Sequence, residues 1–196
     1  MSDDAHLAEH HCASSTLLLG GFLEVRRDTV RLPDGRQATR EFVVHPGAVV
    51  VVPLLDDGSL LLERQFRYPV AQVLLEFPAG KLERGERVID CAVRELREET
   101  GYSAAEWALG GTMHNAAAYS TEIIHLVFAR GLQPGPAQPD DGEFIELVTM
   151  REDELDALSA RDELTDVKTL VGLLWLAQWR KGLRRLDWQP LGMMAP

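Results

Sequence analysis

Strand-like patterns come before any helical pattern along this chain. Two extended runs within residues 21–45 flank Pro33-Asp34-Gly35, where proline fixes φ and glycine accepts a positive φ, so this segment predicts a hairpin. A β-branched run at 48–55 predicts a buried strand, which Asp56-Asp57-Gly58 turns into a returning strand at 59–65. Further strands are predicted at 74–77, 123–128 and 144–150.

Helical spacing is concentrated in three later segments. The first runs over 87–100 and stops at Gly101, the second covers 152–158, and the third is capped by Thr165 or Asp166. A loop rich in proline and glycine occupies 131–142. The order of strands and helices indicates an α+β chain or a three-layer mixed sheet. The predicted organisation is a disordered tail at 1–15, a β annex at 16–45, a main domain at 46–182 and a tail at 183–196.

Composition disfavours some classes of partner but does not identify the function. The 196 residues include 20 Lys and Arg against 31 Asp and Glu, a formal net charge of −11, which disfavours nucleic-acid and membrane-surface partners. Two cysteines cannot form a disulfide framework, so a reducing cytoplasmic location is expected. We find no signal-peptide pattern and no apolar run long enough to span a bilayer.

Three carboxylates in the first helix carry the candidate chemistry. Glu95, Glu98 and Glu99 stand at positions i, i+3 and i+4 and therefore share one helical face. Such clustered oxygens repel one another unless cations lie among them, and they suit Mg²⁺ or Mn²⁺. The alternative is a solvated acidic face stabilised by Arg94 and Arg97.

The pattern extends well beyond the three glutamates. Residues with the spacing of a known motif are Gly80, Glu86, Arg94, Glu95, Leu96, Glu98, Glu99 and Gly101. This segment resembles the Nudix box, departing from it only at the closing position, where Tyr102 replaces an aliphatic residue. The resemblance implies a Nudix-type α/β/α sandwich with a mixed sheet, plus a small antiparallel N-terminal annex. It also implies that Gly80 leads the loop and that Glu86 pairs with Arg94 to brace it.

The same resemblance assigns roles in catalysis. Glu95 and Glu99 correspond to the principal metal ligands, Glu98 to a further or water-mediated ligand, and the Ala79 carbonyl to another. The implied reaction is attack on a diphosphate by a metal-activated water.

The general base is expected from the acidic loop at 139–143. Glu143 is the first candidate for the base and for a further metal contact, and Asp141 is the second. Glu98 is the candidate if neither loop acid serves.

Flanking segments indicate a subgroup. Residues 63–69, 76–80, 40–41 and 142–146 are similar to those of ADP-ribose and nucleotide-sugar pyrophosphatases. The resemblance covers about residues 21–179. It implies hydrolysis of ADP-ribose to AMP and ribose 5-phosphate in a homodimer with swapped N-terminal strands. It also implies substrate contacts from Arg67, Glu76 and, from the annex, Arg40, with a surface role as the alternative for both arginines. Tyr119 is expected to be either a packing residue or a substrate contact that stacks on the base.

One departure keeps other functions open. The stretch at 116–122 lacks the Ser-Pro-Gly of ADP-ribose enzymes, and Tyr119 within it resembles a residue of dinucleoside polyphosphate hydrolases. A GDP-sugar, a dinucleoside polyphosphate or a damaged nucleotide is therefore an alternative substrate. Two other classes are a non-catalytic nucleotide-binding regulator and a structural protein with an acidic helix.

Overall fold

The computed structural model describes residues 4–21 and 23–194, which belong to two compact units. One unit comprises Met1–Gly47 and His114–Ile123, and the other comprises Ala48–Met113 and Ile124–Pro196. Within the described residues, no helix combines the length and the apolar character needed to cross a membrane.

The first unit is built on a three-stranded antiparallel sheet. Its strands are β1 (His10–Leu19), β2 (Glu24–Arg31) and β3 (Gln37–Val44), in that spatial order. The predicted hairpin is β2–β3, with Gly35 at φ 87° in its turn. All ten residues of β1 are exposed, and Val30 is the one buried apolar side chain among this unit's described residues.

The predicted disordered tail is wrong for the segment that forms β1. A short 3₁₀ helix covers Asp4–Leu7, and β1 pairs with β2 from His10 to Leu19. The polar composition of this segment predicted disorder, but backbone pairing to a neighbouring strand does not require buried side chains. Residues 1–3 of the predicted tail lie outside the described residues.

The second unit contains a mixed sheet with helices on both faces. Its elements are β4 (Ala48–Leu54), β5 (Leu60–Arg67), β6 (Gln72–Glu76), β7 (Ala79–Lys81), α1 (Val88–Thr100), β8 (Ser103–His114), β9 (Ile123–Gln133), β10 (Ile145–Met150), α2 (Glu152–Ser159), α3 (Val167–Arg180) and β11 (Gln189–Pro190). The main strand order is β10-β5-β4-β9-β8-β11, with β6 paired to β5 and β7 paired to β4. Strand β4 runs parallel to β9 and antiparallel to β5.

Alternation along β4 divides the core into two layers. Val50 and Val52 pack in the cluster that holds Leu155 of α2 and Leu176 of α3. Val49 and Val51 lie in the other cluster, with Ile89, Ala92 and Leu96 of α1. Because successive side chains of a strand point to opposite faces, α1 covers one face and α2 and α3 cover the other. The predicted α+β sandwich is confirmed.

Strand β8 was not predicted, although it is among the longest strands. Its alanines and paired glycines carry little intrinsic strand preference. A Cβ on Gly110 would lie 2.7 Å from side-chain atoms of Leu126 and Phe128 on the neighbouring β9. Close packing between strands therefore selects the small residues that conceal this strand in the sequence.

The predicted C-terminal tail at 183–196 is wrong for much of its described part. Leu186 is buried in the core, and the Trp188 ring packs edgewise on Trp179 at 5.6 Å between centroids. Gln189–Pro190 pairs with β8, and a 3₁₀ turn follows at Leu191–Met193. A dense apolar cluster thus orders a segment whose sequence has no clear period. Residues 195 and 196 lie outside the described part of the chain.

Candidate active site

Helix α1 is anchored by its apolar side and ends where the sequence predicts. Ile89, Ala92 and Leu96 are buried against the sheet. Gly101 adopts φ 76°, and its N–H donates to the Arg97 carbonyl at 2.9 Å, which closes the last turn. The glutamates between these two anchors are therefore held at defined positions beside the sheet.

The Glu95 carboxyl lies directly against Gly80. A Cβ added at Gly80 would stand 1.8 Å from the Glu95 carboxyl carbon. Any larger residue at this position would displace the carboxylate from the loop. Burial raises the pKa of Glu95 and Arg94 opposes that effect, while Glu98 and Glu143 raise it further. The glycine that opens the motif is thus explained by the acid that lies over it.

Glu99 is fixed to the residue just before that glycine. Its Oε2 accepts a hydrogen bond from the Ala79 N–H at 3.0 Å, and only 5% of the residue is exposed. Burial raises the pKa of Glu99 well above the ordinary range, and the neighbouring Glu63, Glu95 and Glu143 raise it further. A carboxylate in this position is stabilised by any cation that joins it.

Arg94 forms the brace that the motif implies. Its Nε and Nη2 donate to the two oxygens of Glu86 at 2.9 and 3.0 Å. Its Nη1 donates to Glu95 at 2.7 Å and to Glu98 at 3.2 Å. Nη2 also reaches the Lys81 carbonyl at 3.1 Å. One guanidinium therefore joins the loop to the acidic face of the helix.

The donor set fits a divalent cation of the Mg²⁺ type. Glu95, Glu98, Glu99 and the Ala79 carbonyl, the predicted ligands, are oxygen donors of the kind that such ions prefer, and repulsion among the three carboxylates favours a cation between them. Over residues 4–21 and 23–194, no three acidic, histidine or cysteine side chains already converge on one point at which a metal ion could sit. Glu95 and Glu98 are turned to Arg94 instead.

The two loop acids differ in their electrostatic relation to the helix. The charge of Glu143 is among the main causes that raise the pKa of Glu63, Glu95 and Glu99, whereas Asp141 is not a main cause for any of the three. The Glu143 N–H donates to the Asp140 carbonyl at 3.0 Å, which shapes the end of the loop. This difference favours Glu143 over Asp141 as the candidate base.

Arg67 and Glu76, both predicted to contact substrate, form a bidentate ion pair. Arg67 Nε donates to Glu76 Oε1 at 2.8 Å, and Nη2 donates to Oε2 at 2.9 Å. The Glu76 side chain is 1% exposed, whereas that of Arg67 is 38% exposed. Glu76 therefore orients a guanidinium that remains accessible to a ligand.

Arg40 and Tyr119 belong to the first unit and are described within it. The Arg40 Nε donates to Glu9 at 3.0 Å. The Tyr119 ring is exposed, and its backbone carbonyl accepts a hydrogen bond from the Val43 N–H at 2.9 Å. Their roles as substrate contacts stay predictions.

Sequence reasoning missed two charged residues beside Arg67 and Glu76. Glu63 on β5 is fully buried, and neither of its carboxyl oxygens has a hydrogen-bond partner among the described residues. Lys168 on α3 forms an ion pair with Glu76. A signal existed for each: Glu63 interrupts an apolar strand, and Lys168 places a cation in the first turn of a helix, where the helix dipole disfavours it.

Comparisons with known proteins identify the family of the chain. Residues 44–170 match the NUDIX domain family, and residues 13–43 match the nucleoside diphosphate sugar hydrolase N-terminal domain. The chain is 35% identical to the ADP-ribose pyrophosphatase of Bacillus subtilis, over 87% of this chain and 93% of that protein. It is also 35% identical to the methanol dehydrogenase activator of Bacillus methanolicus, over 80% of this chain and 86% of that protein.

A solved structure supports the same fold. The crystal structure of an ADP compounds hydrolase superposes with a TM-score of 0.79 at 24% identity, covering 89% of this chain and 95% of that one. The family match covers the segment that contains Gly80, the α1 glutamates and the acidic loop. The chain therefore belongs to the Nudix hydrolase family.

Proposed function

We propose that this Nudix hydrolase cleaves the pyrophosphate of a nucleoside diphosphate derivative, with ADP-ribose the preferred substrate and AMP and ribose 5-phosphate the products. The observation that carries the proposal is the placement of Glu95 and Glu99 against Gly80 and Ala79. The likeness to the Bacillus subtilis ADP-ribose pyrophosphatase supports the choice of substrate.

The chemistry is the addition of water across the P–O–P bridge. One phosphorus gains the hydroxyl, and the other phosphate leaves with the bridging oxygen. In this proposal Glu143 accepts the proton of the attacking water, and Arg67 contacts a diphosphate oxygen. Nudix hydrolases generally use divalent cations, and we propose Mg²⁺, held by Glu95, Glu98, Glu99 and Ala79. When bound, the cation supplies charge neutralisation of the diphosphate and acidification of water.

The proposed assembly is a cytoplasmic homodimer formed through the N-terminal strands. Support comes from the exposed leucines of this unit, which include Leu17, Leu18 and Leu19 on β1. A three-stranded sheet in which one described apolar side chain is buried does not bury enough surface to be stable by itself. Light scattering should give twice the chain mass, and a monomer at working concentration would contradict the dimer. Both described cysteines are free, which suits a reducing cytoplasm.

The decisive experiment is a product assay on a panel with Mg²⁺. The panel contains ADP-ribose, a GDP-sugar and a dinucleoside polyphosphate, with products separated by chromatography. The Glu99→Gln variant, purified in parallel, is the control for contaminating phosphatases. We expect AMP and ribose 5-phosphate from ADP-ribose at the highest kcat/KM. A higher value for another substrate would overturn the substrate choice.

A second candidate function, non-catalytic regulation, is tested by the same panel. The observation that favours testing a regulatory function is the similarity to a protein named methanol dehydrogenase activator. Calorimetric binding of ADP-ribose without turnover of any substrate on the panel would favour a regulator. Turnover that disappears in Glu99→Gln would exclude it.

A further inference from the structure

Glu76 is a buried carboxylate that receives two cations. Arg67 contacts both of its oxygens, and the Lys168 ammonium donates to Oε2. The Glu76 and Lys168 side chains are 1% and 12% exposed. Burial disfavours the ionised form of Glu76, but the Arg67 hydrogen bonds and the Lys168 charge outweigh it, so the pKa is lowered. The carboxylate is therefore charged and held from two sides.

A closed ring of polar contacts joins the first turn of α3 to Glu76 and Phe77. Lys168 Nζ lies 3.1 Å from Asp166 Oδ1. Asp166 caps the helix by accepting from the Thr169 N–H at 2.9 Å and from its hydroxyl at 2.7 Å. The Thr169 hydroxyl then accepts from the Phe77 N–H at 2.9 Å. Both Glu76 and the residue after it are thus tied to one helical turn.

Lys168 occupies a position that is unfavourable for the dipole of its own helix. A cation in the first turn opposes the helix dipole, whose positive end lies there. Asp166 alone supplies the cap. The position of Lys168 is therefore explained by its partner on β6, the Glu76 carboxylate.

Arg67 keeps one edge of its guanidinium available. Its hydrogen bonds to Glu76 use Nε and Nη2, and within the described residues Nη1 has no hydrogen-bond partner. The carboxyl group of Glu63, the register partner of Glu76 on β5, also has no hydrogen-bond partner among those residues. Without the Lys168 charge, Arg67 alone would neutralise two adjacent buried carboxylates.

We infer that Lys168 is a positioning residue for substrate binding: it fixes Glu76 and supplies the second positive charge, so that Glu76 can orient Arg67 toward the diphosphate. Lys168 itself touches no substrate. The inference rests on the proposed function, in which Arg67 contacts the diphosphate.

The first test compares three variants by steady-state kinetics with ADP-ribose and Mg²⁺. Lys168→Met should raise KM about tenfold and leave kcat within about twofold, because a contact kept in both ground and transition states is weakened. Lys168→Arg keeps the charge and should hold KM within about threefold of the parent. The control Lys181→Met, at the exposed end of α3, should match the parent. A parent-like KM in Lys168→Met overturns the inference.

The second test is a double-mutant cycle with Arg67→Lys. If Lys168 acts through Arg67, adding Lys168→Met to Arg67→Lys should change KM less than about twofold. Independent, multiplicative effects overturn the inference. An impaired Arg67→Lys with a normal Lys168→Met refutes only the role of Lys168, whereas a parent-like Arg67→Lys refutes the diphosphate contact as well. Circular dichroism melts monitor folding, and Lys168→Gln replaces Lys168→Met if the latter does not fold.

Discussion

Two groups of buried charge in the same unit are built in opposite ways. Beside α1, Glu95 and Glu99 have raised pKa values because burial and neighbouring acids outweigh the available cations. Between β6 and α3, Glu76 has a lowered pKa because Arg67 and Lys168 outweigh its burial. The balanced group holds a geometry by itself. The unbalanced group has an excess of negative charge that a proton or a bound cation can offset, and this is typical of a binding site.

Of the changes that distinguish the two groups, removal of the divalent metal should have the largest effect on activity. With a chelator in excess, hydrolysis should fall below detection, because the excess negative charge then faces the diphosphate directly. Mg²⁺ at 100 times its Kd should stabilise the metal-free protein by about 2.7 kcal/mol, seen as a rise in Tm. The Glu106→Gln variant, altered at a residue paired with Arg130 outside the cluster, should show the same rise. Undiminished turnover under chelation would refute the metal mechanism.

Replacing one member of the unbalanced group should separate activity from stability. Glu99→Gln keeps the shape and removes the charge, so we expect kcat to fall by about 10³ or more. Without metal, its Tm should equal or exceed that of the parent, because a poorly solvated carboxylate has been removed. Kinetics and thermal melts in chelator measure the two effects. A near-normal kcat would show that Glu99 is not a ligand.

The acidic loop tests which residue completes the unbalanced group. Glu143→Gln should lower kcat by about 10²–10⁴ with little change in KM, as expected for a lost general base. Asp141→Asn is the matched control and should stay near the parent, with both variants assayed at saturating substrate and Mg²⁺. If Asp141→Asn is the impaired enzyme, the base lies two residues earlier. Two normal variants would instead direct attention to Glu98.

Replacing Glu63, which lies next to the balanced group, should give the smallest effect. The effect is a change in the free energy of unfolding. Burial raises its pKa from 4.5 to about 7, with Glu76 adding to the shift. The folded state therefore binds an extra proton between these pH values, and its stability falls as the pH rises through them. Glu63→Gln should remove this loss and be more stable than the parent at pH 8 by about 1–3 kcal/mol. Urea unfolding in chelator at pH 5 and pH 8 measures the difference, which should be small at pH 5.

The sequence predicts the fold well where periodicity and turn chemistry agree. Helix α1 begins within one residue of the predicted start and ends at Thr100, directly before Gly101, and Asp166 caps α3 as expected. Strands with β-branched or apolar alternation, such as β4, were also predicted. The pattern fails for β1 and β8, because pairing with neighbouring strands, which a local window does not contain, decides their structure.

Within the site, spacing in the sequence predicts which residues share one face of a helix. It does not predict contacts between residues that are far apart in the chain. Glu95, Glu98 and Glu99 share a face because three and four residues separate them. The resemblance to the same short motif implied the pairing of Arg94 with Glu86, whereas the hydrogen bond from the Ala79 N–H to Glu99 was not predicted. Glu63 and Lys168 are joined to Glu76 through strand register and the docking of α3, and both are set by tertiary packing.

The ring that joins Phe77 to Thr169 also bears on the order in which the enzyme matures during synthesis. The two ends of the bond are 92 residues apart, as are Glu76 and Lys168. A ribosome will have released the whole glutamate helix well before α3 emerges, since domains form as their last segments leave the tunnel. A nascent chain at that stage carries its complete acidic motif, while Glu76 still lacks Lys168 and Phe77 still lacks Thr169. This ring of polar contacts is therefore completed late in translation, when α3 emerges.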